Sequence, residues 1–420
     1  MKKIIAKVMS LISVTAVLAV YLPIISASAD ATIGIGEYLQ MGTYYGEPIL
    51  WRCVDIDDNG PLMISDKILC LKAFDAHAGT MGNSVTGSHS RNEYRKTNES
   101  NYWGDSNIRS WLNSAEDAGD VEWLCGNPPT KDNVWDNKNA YDQEAGFLSN
   151  FKRYEITAMK DVSQKLLLDR SEVAANMATT GKEQHNCYLS DLSMAIGNYD
   201  VAFAEYVTDK MFLIDIKQAV DIYNNKEILG ENYQAAKPTQ ACVANSEYQN
   251  EEFLSADNTW FYWLRSPSLV AVNKPQYIDT VGQLNGDTDG YNSTYGIRPA
   301  FYLNEAKSSF ASGSGSALSP YILENITYLD LTEKYSGLTA WAKIADNTLT
   351  VSISGEDFDA DGTTVLAAQF QNDELLSVKV LEKNEDGTFT GGLDSREYIL
   401  FVWKSDKYVP VTIQAELVNE

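Results

Sequence analysis

Three polar residues in one short turn are the first candidates for chemistry in this 420-residue sequence. Asn285, Asp287 and Asp289 alternate and are followed by Gly290, the order of oxygen ligands and glycine in the first half of a calcium loop. The twelfth position is Gly296 instead of Glu, so the bidentate carboxylate that completes such a loop is missing. Asn, Asp and Gly also build ordinary tight turns. We therefore expect a hairpin turn here, with Ca²⁺ as the alternative role of the three polar side chains.

Aromatic residues beside polar segments are the second group of candidates. A ring with an apolar face and a polar edge suits an amphipathic ligand such as a sugar. Trp103 and Tyr291 each border a polar loop, so both are candidates for ligand binding, together with the three polar side chains of the turn. Trp111 and Trp263 lie in apolar runs, and we expect them to be structural core residues.

Two arginines flank the turn in aromatic segments that are followed closely by proline. Arg265 and Arg298 could clamp an anion through bidentate hydrogen bonds. Buried charges persist only where they are paired. We therefore expect both arginines to be structural, each bonded to a buried carboxylate or to loop carbonyls.

Several enzyme classes have no signature here. The sequence contains no G-x-S-x-G motif, no phosphate loop and no dinucleotide fingerprint. Its three histidines, His77, His89 and His185, lie in predicted loops without metal-ligand spacing. The five cysteines include no C-x-x-C pair, which favours buried thiols over a zinc site. Glycoside hydrolysis needs only two suitably placed carboxylates, so that chemistry stays open.

The N-terminus has the pattern of a secretory signal. Lys2 and Lys3 precede an apolar run from Val8, and Ala27-Ser28-Ala29 precedes Asp30. The apolar run is short of the roughly 20 residues of a membrane-spanning helix. We therefore expect residues 1–29 to be removed and the mature chain to be secreted, extracellular or held at the cell surface, without membrane insertion.

The charge balance excludes some partners. The formal net charge is −25, and it becomes −28 when residues 1–29, which contain three lysines and no acidic residue, are removed. Such an excess of negative charge disfavours nucleic acid and anionic membrane surfaces.

The rest of the chain indicates two domains. Residues 30–324 combine an Asn59-Gly60 hairpin, long polar loops, a strand at 210–214 and short helices, which predicts an α+β fold. Asp105 or Ser106 is expected to cap one of these helices and Asp215 another. From residue 325 to 420, short apolar runs alternate with Gly and Asp turns, which is typical of an all-β sandwich of the immunoglobulin-like kind.

Six segments together resemble an uncharacterised bacterial domain found in exported and surface proteins of Gram-positive anaerobes. They are residues 49–54, 103–113, 147–148, 209–214, 263–267 and 296–301. This domain is thought to be related to the C-type-lectin-like and formylglycine-generating-enzyme folds, so the resemblance implies a C-type-lectin-like domain with long loops over about residues 33–324. The tail resembles a small β-sandwich module of such surface proteins. The resemblance implies no activity, because formylglycine-generating enzymes use two late cysteines and Cys242 has no later partner.

Two functions follow as hypotheses. The first is a secreted, non-enzymatic recognition or adhesion protein that binds carbohydrate or cell-surface components through loops of the first domain. The second is a secreted enzyme that acts on glycans or protein side chains through loop carboxylates.

Overall fold

The computed structural model describes most of the two predicted domains. The described residues are 32–77, 99–168, 184–187, 192, 195–248, 253–269, 271–328, 339–345, 347–355, 358–371, 374–392, 397–404, 409–410 and 415–418. The predicted signal segment and His89 lie outside these ranges.

The strands of the first part are short and numerous. In chain order they are β1 (Tyr38–Tyr44), β2 (Glu47–Asp57), β3 (Gly60–Ser65), β4 (Cys70–Leu71), β5 (Val162–Leu167), β6 (Ala204–Asp209), β7 (Tyr262–Pro267), β8 (Pro275–Ile278), β9 (Leu284–Asn285), β10 (Gly296–Ile297), β11 (Ala300–Tyr302), β12 (Phe310–Ser312) and β13 (Tyr321–Leu323).

Five short α-helices lie between these strands in the described ranges. They are α1 (Asn107–Leu112), α2 (Arg153–Thr157), α3 (Ile216–Asn224), α4 (Lys226–Leu229) and α5 (Gln240–Asn245). The 3₁₀ helices are Trp103–Asp105, Trp135–Asn137, Phe147–Asn150 and Glu305–Lys307.

Two sheets organise the first part. One has six strands in the order β11-β3-β2-β1-β13-β12, and the other has five in the order β4-β10-β7-β8-β9. The strands β5 and β6 form a separate antiparallel pair. The parallel pairing of β1 with β13 brings the beginning and the end of this part together.

Two of the helices begin at residues whose side chains cap the first turn. The Ser106 hydroxyl accepts a hydrogen bond from the Arg109 amide at the start of α1, and the Asp215 carboxylate accepts one from the Gln218 amide at the start of α3. A side-chain oxygen at this position satisfies an amide that has no partner within the helix. Both predicted caps are confirmed.

Two predictions about strands were wrong. For a hairpin turn centred on residues 58–59 or 59–60, the sequence predicts Cys53 opposite Ile64 or Asp66. A β-bulge between Cys53 and Asp55 shifts the β2–β3 register, so Cys53 pairs with Met63 instead. The predicted strand at 210–214 is replaced by β6, which ends at Asp209. Only Phe212 of that segment forms a bridge, to Ala300.

Large aromatic side chains fill the core of the first part. Trp51, Trp111 and Trp263 are all completely buried. Trp51 packs edge to face against Phe301, with ring centroids 4.9 Å apart. Such rings dominate core energetics through the apolar area they remove from water.

Arg265 is buried and paired. Its Nη2 lies 2.9 Å from Asp215 Oδ2, and its Nη1 donates to the Leu213 carbonyl at 2.7 Å. Asp215 also accepts hydrogen bonds from the Tyr199 hydroxyl and the Gln218 amide, so one carboxylate joins a strand, a loop and a helix cap.

Arg298 is held by carbonyls and rings. Its Nε donates to the Ser65 carbonyl at 3.0 Å, and its guanidinium lies 4.6 Å from the Tyr233 ring centroid and 5.3 Å from that of Tyr262. It therefore links the end of β3 to β7 from a fully buried position.

The second part has a separate core made by two sheets. Its strands are β14 (Ile326–Tyr328), β15 (Thr339–Ala345), β16 (Thr348–Ser354), β17 (Thr363–Gln371), β18 (Glu374–Val380), β19 (Glu382–Lys383), β20 (Phe389–Gly392), β21 (Glu397–Lys404), β22 (Val409–Pro410) and β23 (Ala415–Val418). One sheet has the order β14-β15-β16-β20-β19, and the other β18-β17-β21-β22 with β23 also on β21. Leu349, Val351, Val365 and Leu400 lie completely buried between them.

The molecule is therefore a β-rich mixture of strands and short helices with several sheets. The boundary between residues 324 and 325 stays a prediction. None of the helices in the described ranges has the length and apolar character needed to span a bilayer.

Replacing Asp215 tests the buried pair. Asp215→Ala should destabilise the first part by about 3–5 kcal/mol, because it leaves the Arg265 charge buried without its partner. Urea denaturation measures the loss.

Asp161→Ala is the matched control, because Asp161 pairs with Lys210 at 2.6 Å while its side chain is 61% exposed. An exposed pair contributes about 0–1 kcal/mol. Equal losses in the two variants would contradict the structural role of Asp215.

Candidate functional site

Several loops of the first part meet at Gly290. Its carbonyl accepts hydrogen bonds from the Phe74 amide at 2.8 Å and the Asp75 amide at 3.1 Å. Its own amide donates to the Asn273 carbonyl at 2.8 Å. A Cβ atom at this position would lie 3.2 Å from the Ser100 carbonyl oxygen, so a side chain here would require the Ser100 backbone to shift slightly.

The Asp75 carboxylate joins two further segments to this junction. It accepts hydrogen bonds from the Ser100 amide at 2.8 Å and the Asn107 amide at 3.1 Å. The Asn107 side chain in turn accepts from the Ala76 amide at 2.6 Å. Asp75 and Asn107 are both buried, and charge-assisted bonds of this kind are strong where water is excluded. The chain on either side of residues 78–98 is therefore firmly placed.

A polar cluster lies beside this junction. His77 Nε2 is 3.5 Å from Glu99 Oε2, while Glu99 Oε1 accepts a hydrogen bond from Asn273 Nδ2 at 2.8 Å. The same amide nitrogen donates to Asp289 Oδ1 at 3.0 Å, so one amide lies between two carboxylates. Burial raises the pKa of Glu99.

Two atoms of the cluster are buried without a hydrogen-bond partner in the described part of the chain. They are His77 Nδ1 and Glu99 Oε2. Leaving a buried polar atom unsatisfied costs about 1–3 kcal/mol. Such atoms are uncommon in native structures, and here they mark a place where the burial of polar groups is not offset by hydrogen bonds within the protein.

Aromatic rings form one side of the site. The Tyr291 ring lies between the imidazole of His77 and the indole of Trp135, with centroid distances of 5.9 Å and 6.0 Å. Trp135 is 45% exposed, and Tyr291 is half-buried. We call the rings of Trp135 and Tyr291, with the adjacent Asn273 and Asp289 side chains, the aromatic wall.

The loop that carries Trp135 has an unusual backbone. Asp136, Asn137 and Asn139 have φ values of 55°, 57° and 53°, in the left-handed region that non-glycine residues seldom occupy. The Trp135 amide donates to the Tyr291 carbonyl at 3.0 Å, which fixes the loop against the wall. Backbone strain of this kind is concentrated at functional sites.

The predicted turn residues lie next to the cluster but do not share one cation position. Asn285 Nδ2 donates to Asp279 Oδ2 at 2.9 Å, whereas the Lys274 ammonium donates to the Asp287 carbonyl at 2.6 Å and lies 3.6 Å from Asp289 Oδ1. A lysine thus supplies positive charge to this loop. No group of three or more His, Cys, Asp or Glu side chains in the described ranges is placed to hold a metal ion. Calcium binding stays a prediction.

Trp103 is a core residue in this structure. It is 1% exposed, and its indole nitrogen donates to Asp209 Oδ2 at 2.8 Å. A sugar stacks on an exposed ring face, and the buried Trp103 ring offers none. Trp111 and Trp263 are also buried and donate to the carbonyls of Ala145 and Lys72.

One comparison with known proteins places the chain in a family. Residues 59–305, more than half of the chain, match the family described as "Domain of unknown function (DUF6273)". The chain belongs to this family. No curated protein and no solved structure matches it.

The DUF6273 match contains the whole candidate site. The residues that meet at Gly290, the His77–Glu99 pair and the aromatic wall all lie within 59–305. The match is to an uncharacterised domain and shows no link to C-type lectins. An activity has to be inferred from the site itself.

Sequence reasoning found part of this site and missed the rest. Asp289 and Tyr291 belong to the aromatic wall. His77, Glu99 and Trp135 lie in residues 75–101 and 126–141, which the sequence predicts only as polar surface loops. A tryptophan within the polar run Asp132–Asn139 was a usable signal, because large aromatic residues are seldom left in solvated loops without a contact or a ligand.

The Glu99 carboxyl should make stability depend on pH. Its raised pKa means that the folded state holds the proton more tightly than the unfolded state, so stability falls as pH rises from the unfolded pKa of about 4.3 through the folded value. Glu99→Gln removes the ionisable carboxyl and with it this loss of stability at higher pH. The variant should melt at a higher temperature than the wild type at pH 7, and the difference should disappear below about pH 4.

Thermal melts between about pH 3 and pH 8, on both sides of the carboxyl pKa values, measure the effect, with the exposed Glu116→Gln as control. The melting temperature of the control variant should depend on pH in the same way as that of the wild type. A Glu99→Gln variant that is less stable than the wild type at pH 7 would contradict the desolvation of Glu99.

Proposed function

We propose that this chain is an exported recognition protein whose DUF6273 domain binds carbohydrate on the aromatic wall. The observation that carries the proposal is the exposed Trp135 ring packed on Tyr291, two residues along the chain from Asp289, whose carboxylate accepts a hydrogen bond from the Asn273 amide. A sugar presents an apolar face to an aromatic ring and hydroxyl groups to neighbouring carboxylates and amides. The aromatic wall offers both kinds of group within one small area.

The polar cluster supports the same function. His77 and Glu99 lie next to the Tyr291 ring and keep buried atoms without partners. Both atoms are shielded from solvent, so a ligand hydroxyl or a bound water satisfies them only after a local movement of the neighbouring loops.

The charges favour an uncharged ligand. Asp289 and Glu99 are close together, and Lys274 is already engaged with the loop that contains Asp287 and Asp289. A net charge of −25 adds long-range repulsion of anions. Neutral glycans therefore suit this negative electrostatic potential better than sulfated or uronic-acid polymers do.

The proposal includes export and the roles of the two parts. The N-terminal signal pattern supports secretion, with retention at the cell surface as one outcome. A C-type-lectin-like relationship of the first part and an immunoglobulin-like relationship of the second remain proposals, supported by the loop-rich mixed fold and the two-sheet sandwich. In this scheme the sandwich is a spacer or a second adhesion module.

A second candidate function is hydrolysis of glycans. Glu99 has a raised pKa, as a general acid requires, and Asp289 lies on the other side of the Asn273 amide. Glycosidases generally use two carboxyl groups, one of which is protonated. Glu99 would then donate the proton to the leaving oxygen, and Asp289 would be the second carboxylate.

Removal of the Trp135 ring tests the binding proposal. Trp135→Ala should weaken binding to glycans retained on an array by tenfold or more, because aromatic anchors carry most of the energy of such contacts. Tyr206→Ala is the matched control, since Tyr206 is a 61% exposed ring on β6 outside the aromatic wall. Equal binding by both variants and the wild type would refute the aromatic wall.

The same array separates the remaining alternatives. Binding in EDTA equal to binding in Ca²⁺ would remove the calcium hypothesis. Mass spectrometry of the retained glycans distinguishes recognition from catalysis: intact ligands after long incubation support recognition. Released fragments that disappear with Glu99→Gln would establish the hydrolase instead.

A further inference from the structure

One sheet of the second part has apolar side chains on both of its faces. Val365 and Ala367 of β17 are completely buried in the core between the two sheets. Because side chains alternate along a strand, Leu366 and Ala368 lie on the opposite, outer face. The register with β18 and β21 continues this face in two rows, which we call the outer apolar face. The rows are Val380–Leu366–Phe401 and Val378–Ala368–Ile399.

Part of the outer apolar face is open to solvent. Val378 and Val380 are 54% and 65% exposed on β18, which is the edge strand of its sheet. Leu375 of the same strand is 58% exposed. None of the six residues in the two rows has a charged or polar side chain. Contiguous apolar surface of this kind, shared by neighbouring strands, is typical of an interaction site.

The other sheet of the same sandwich shows the usual alternation. Leu349, Val351 and Ile353 of β16 are buried, whereas the intervening Thr350 and Ser352 are polar and partly exposed. A sheet with one solvated face alternates in this way, while strands covered on both faces are nearly continuous apolar runs. The strands β17, β18 and β21 have the second pattern, so their outer face has the composition of a covered surface.

The charge of the chain limits what can cover this face. Apolar rows offer no ion pair, so the partner must present an uncharged and flat surface. Two copies of this chain repel each other through their formal net charge of −25, and they can approach closely only where both surfaces lack charge. The outer apolar face meets this condition on both copies. Two sheets pack face to face about 10 Å apart with strand directions within about 30°, and a two-fold axis brings identical faces together.

We propose that two copies of this chain form a symmetric dimer through their outer apolar faces. The three strands are seven to nine residues long. At a strand spacing of about 4.8 Å and a rise of about 3.3 Å per residue, they cover roughly 380 Å² of flat sheet. Each partner contributes about 800 Å² to an interface of standard size. The dimer is therefore reversible, with dissociation in the micromolar range, and it does not depend on the function proposed for the aromatic wall.

Sedimentation velocity tests the dimer with residues 30–420, the chain expected after export, so that the apolar signal segment cannot associate instead. Between about 1 and 300 µM, the range of weak association, the mass should rise from monomer towards dimer. Val378→Lys should weaken association at least tenfold, because the dimer would bury two unpaired ammonium groups. Thr350→Lys is the matched control on the outer face of the other sheet, and it should dimerise like the wild type.

A second variant guards against misfolding. Val380→Thr nearly keeps the side-chain shape at a 65% exposed position, so the monomer should melt like the wild type while dimerisation weakens threefold or more. A monomer mass at every concentration would overturn the proposal, as would wild-type dimerisation in both variants. Binding of a monomeric chain to phosphatidylcholine vesicles that Val378→Lys abolishes would also overturn it and assign the face to a neutral membrane. Trp135→Ala should leave dimerisation unchanged, whereas failure of the aromatic wall would appear as glycan-array binding that Trp135→Ala does not change.

Discussion

The hydrogen bonds between Asp75 and Gly290 are the constraint on which the site depends. The Gly290 carbonyl accepts from the Phe74 and Asp75 amides, and the Asp75 carboxylate accepts from the Ser100 and Asn107 amides. The regular sheets end near these points, so few ladder hydrogen bonds hold the loops. The buried Asp75 carboxylate holds them instead, because its two oxygens accept hydrogen bonds from two backbone amides.

The chemistry of the site follows from this junction. Because Ser100 is fixed by Asp75, the neighbouring Glu99 is directed to the Asn273 amide, and because Gly290 is fixed, Asp289 and Tyr291 lie on either side of it. The strained loop after Trp135 then places an exposed indole on the Tyr291 ring. The result combines a ring surface with polar atoms that lack partners, which is costly for a purely structural region and useful for recognition.

Local chemistry explains which features could be predicted from the sequence. The caps at Ser106 and Asp215 were found because capping depends on residues within one turn of a helix. The register of β2 and β3 was missed because a bulge depends on the packing of a whole sheet. The strand expected at 210–214 failed for a related reason: the partner of Phe212 is Ala300, far along the chain.

The candidate site shows the same limit. Asp289 and Tyr291 were accessible to sequence reasoning because they belong to a single Asp- and Gly-rich turn. Their neighbours in the candidate site are Glu99, Trp135 and Asn273. These three residues lie in three other loops, and only the fold brings them together. The residues of the candidate site therefore lie in polar loops. Which of them contact each other could not be predicted from their spacing in the sequence.

The central claim is that a glycan lies on the Trp135 ring, and the indole N–H resonances of the tryptophans test it most directly. Trp103, Trp111 and Trp263 each donate this hydrogen to a buried or part-buried protein acceptor. During titration with a neutral oligosaccharide, the account predicts a saturable shift of the Trp135 signal while these three stay in place. Saturable binding that leaves Trp135 unshifted would contradict it.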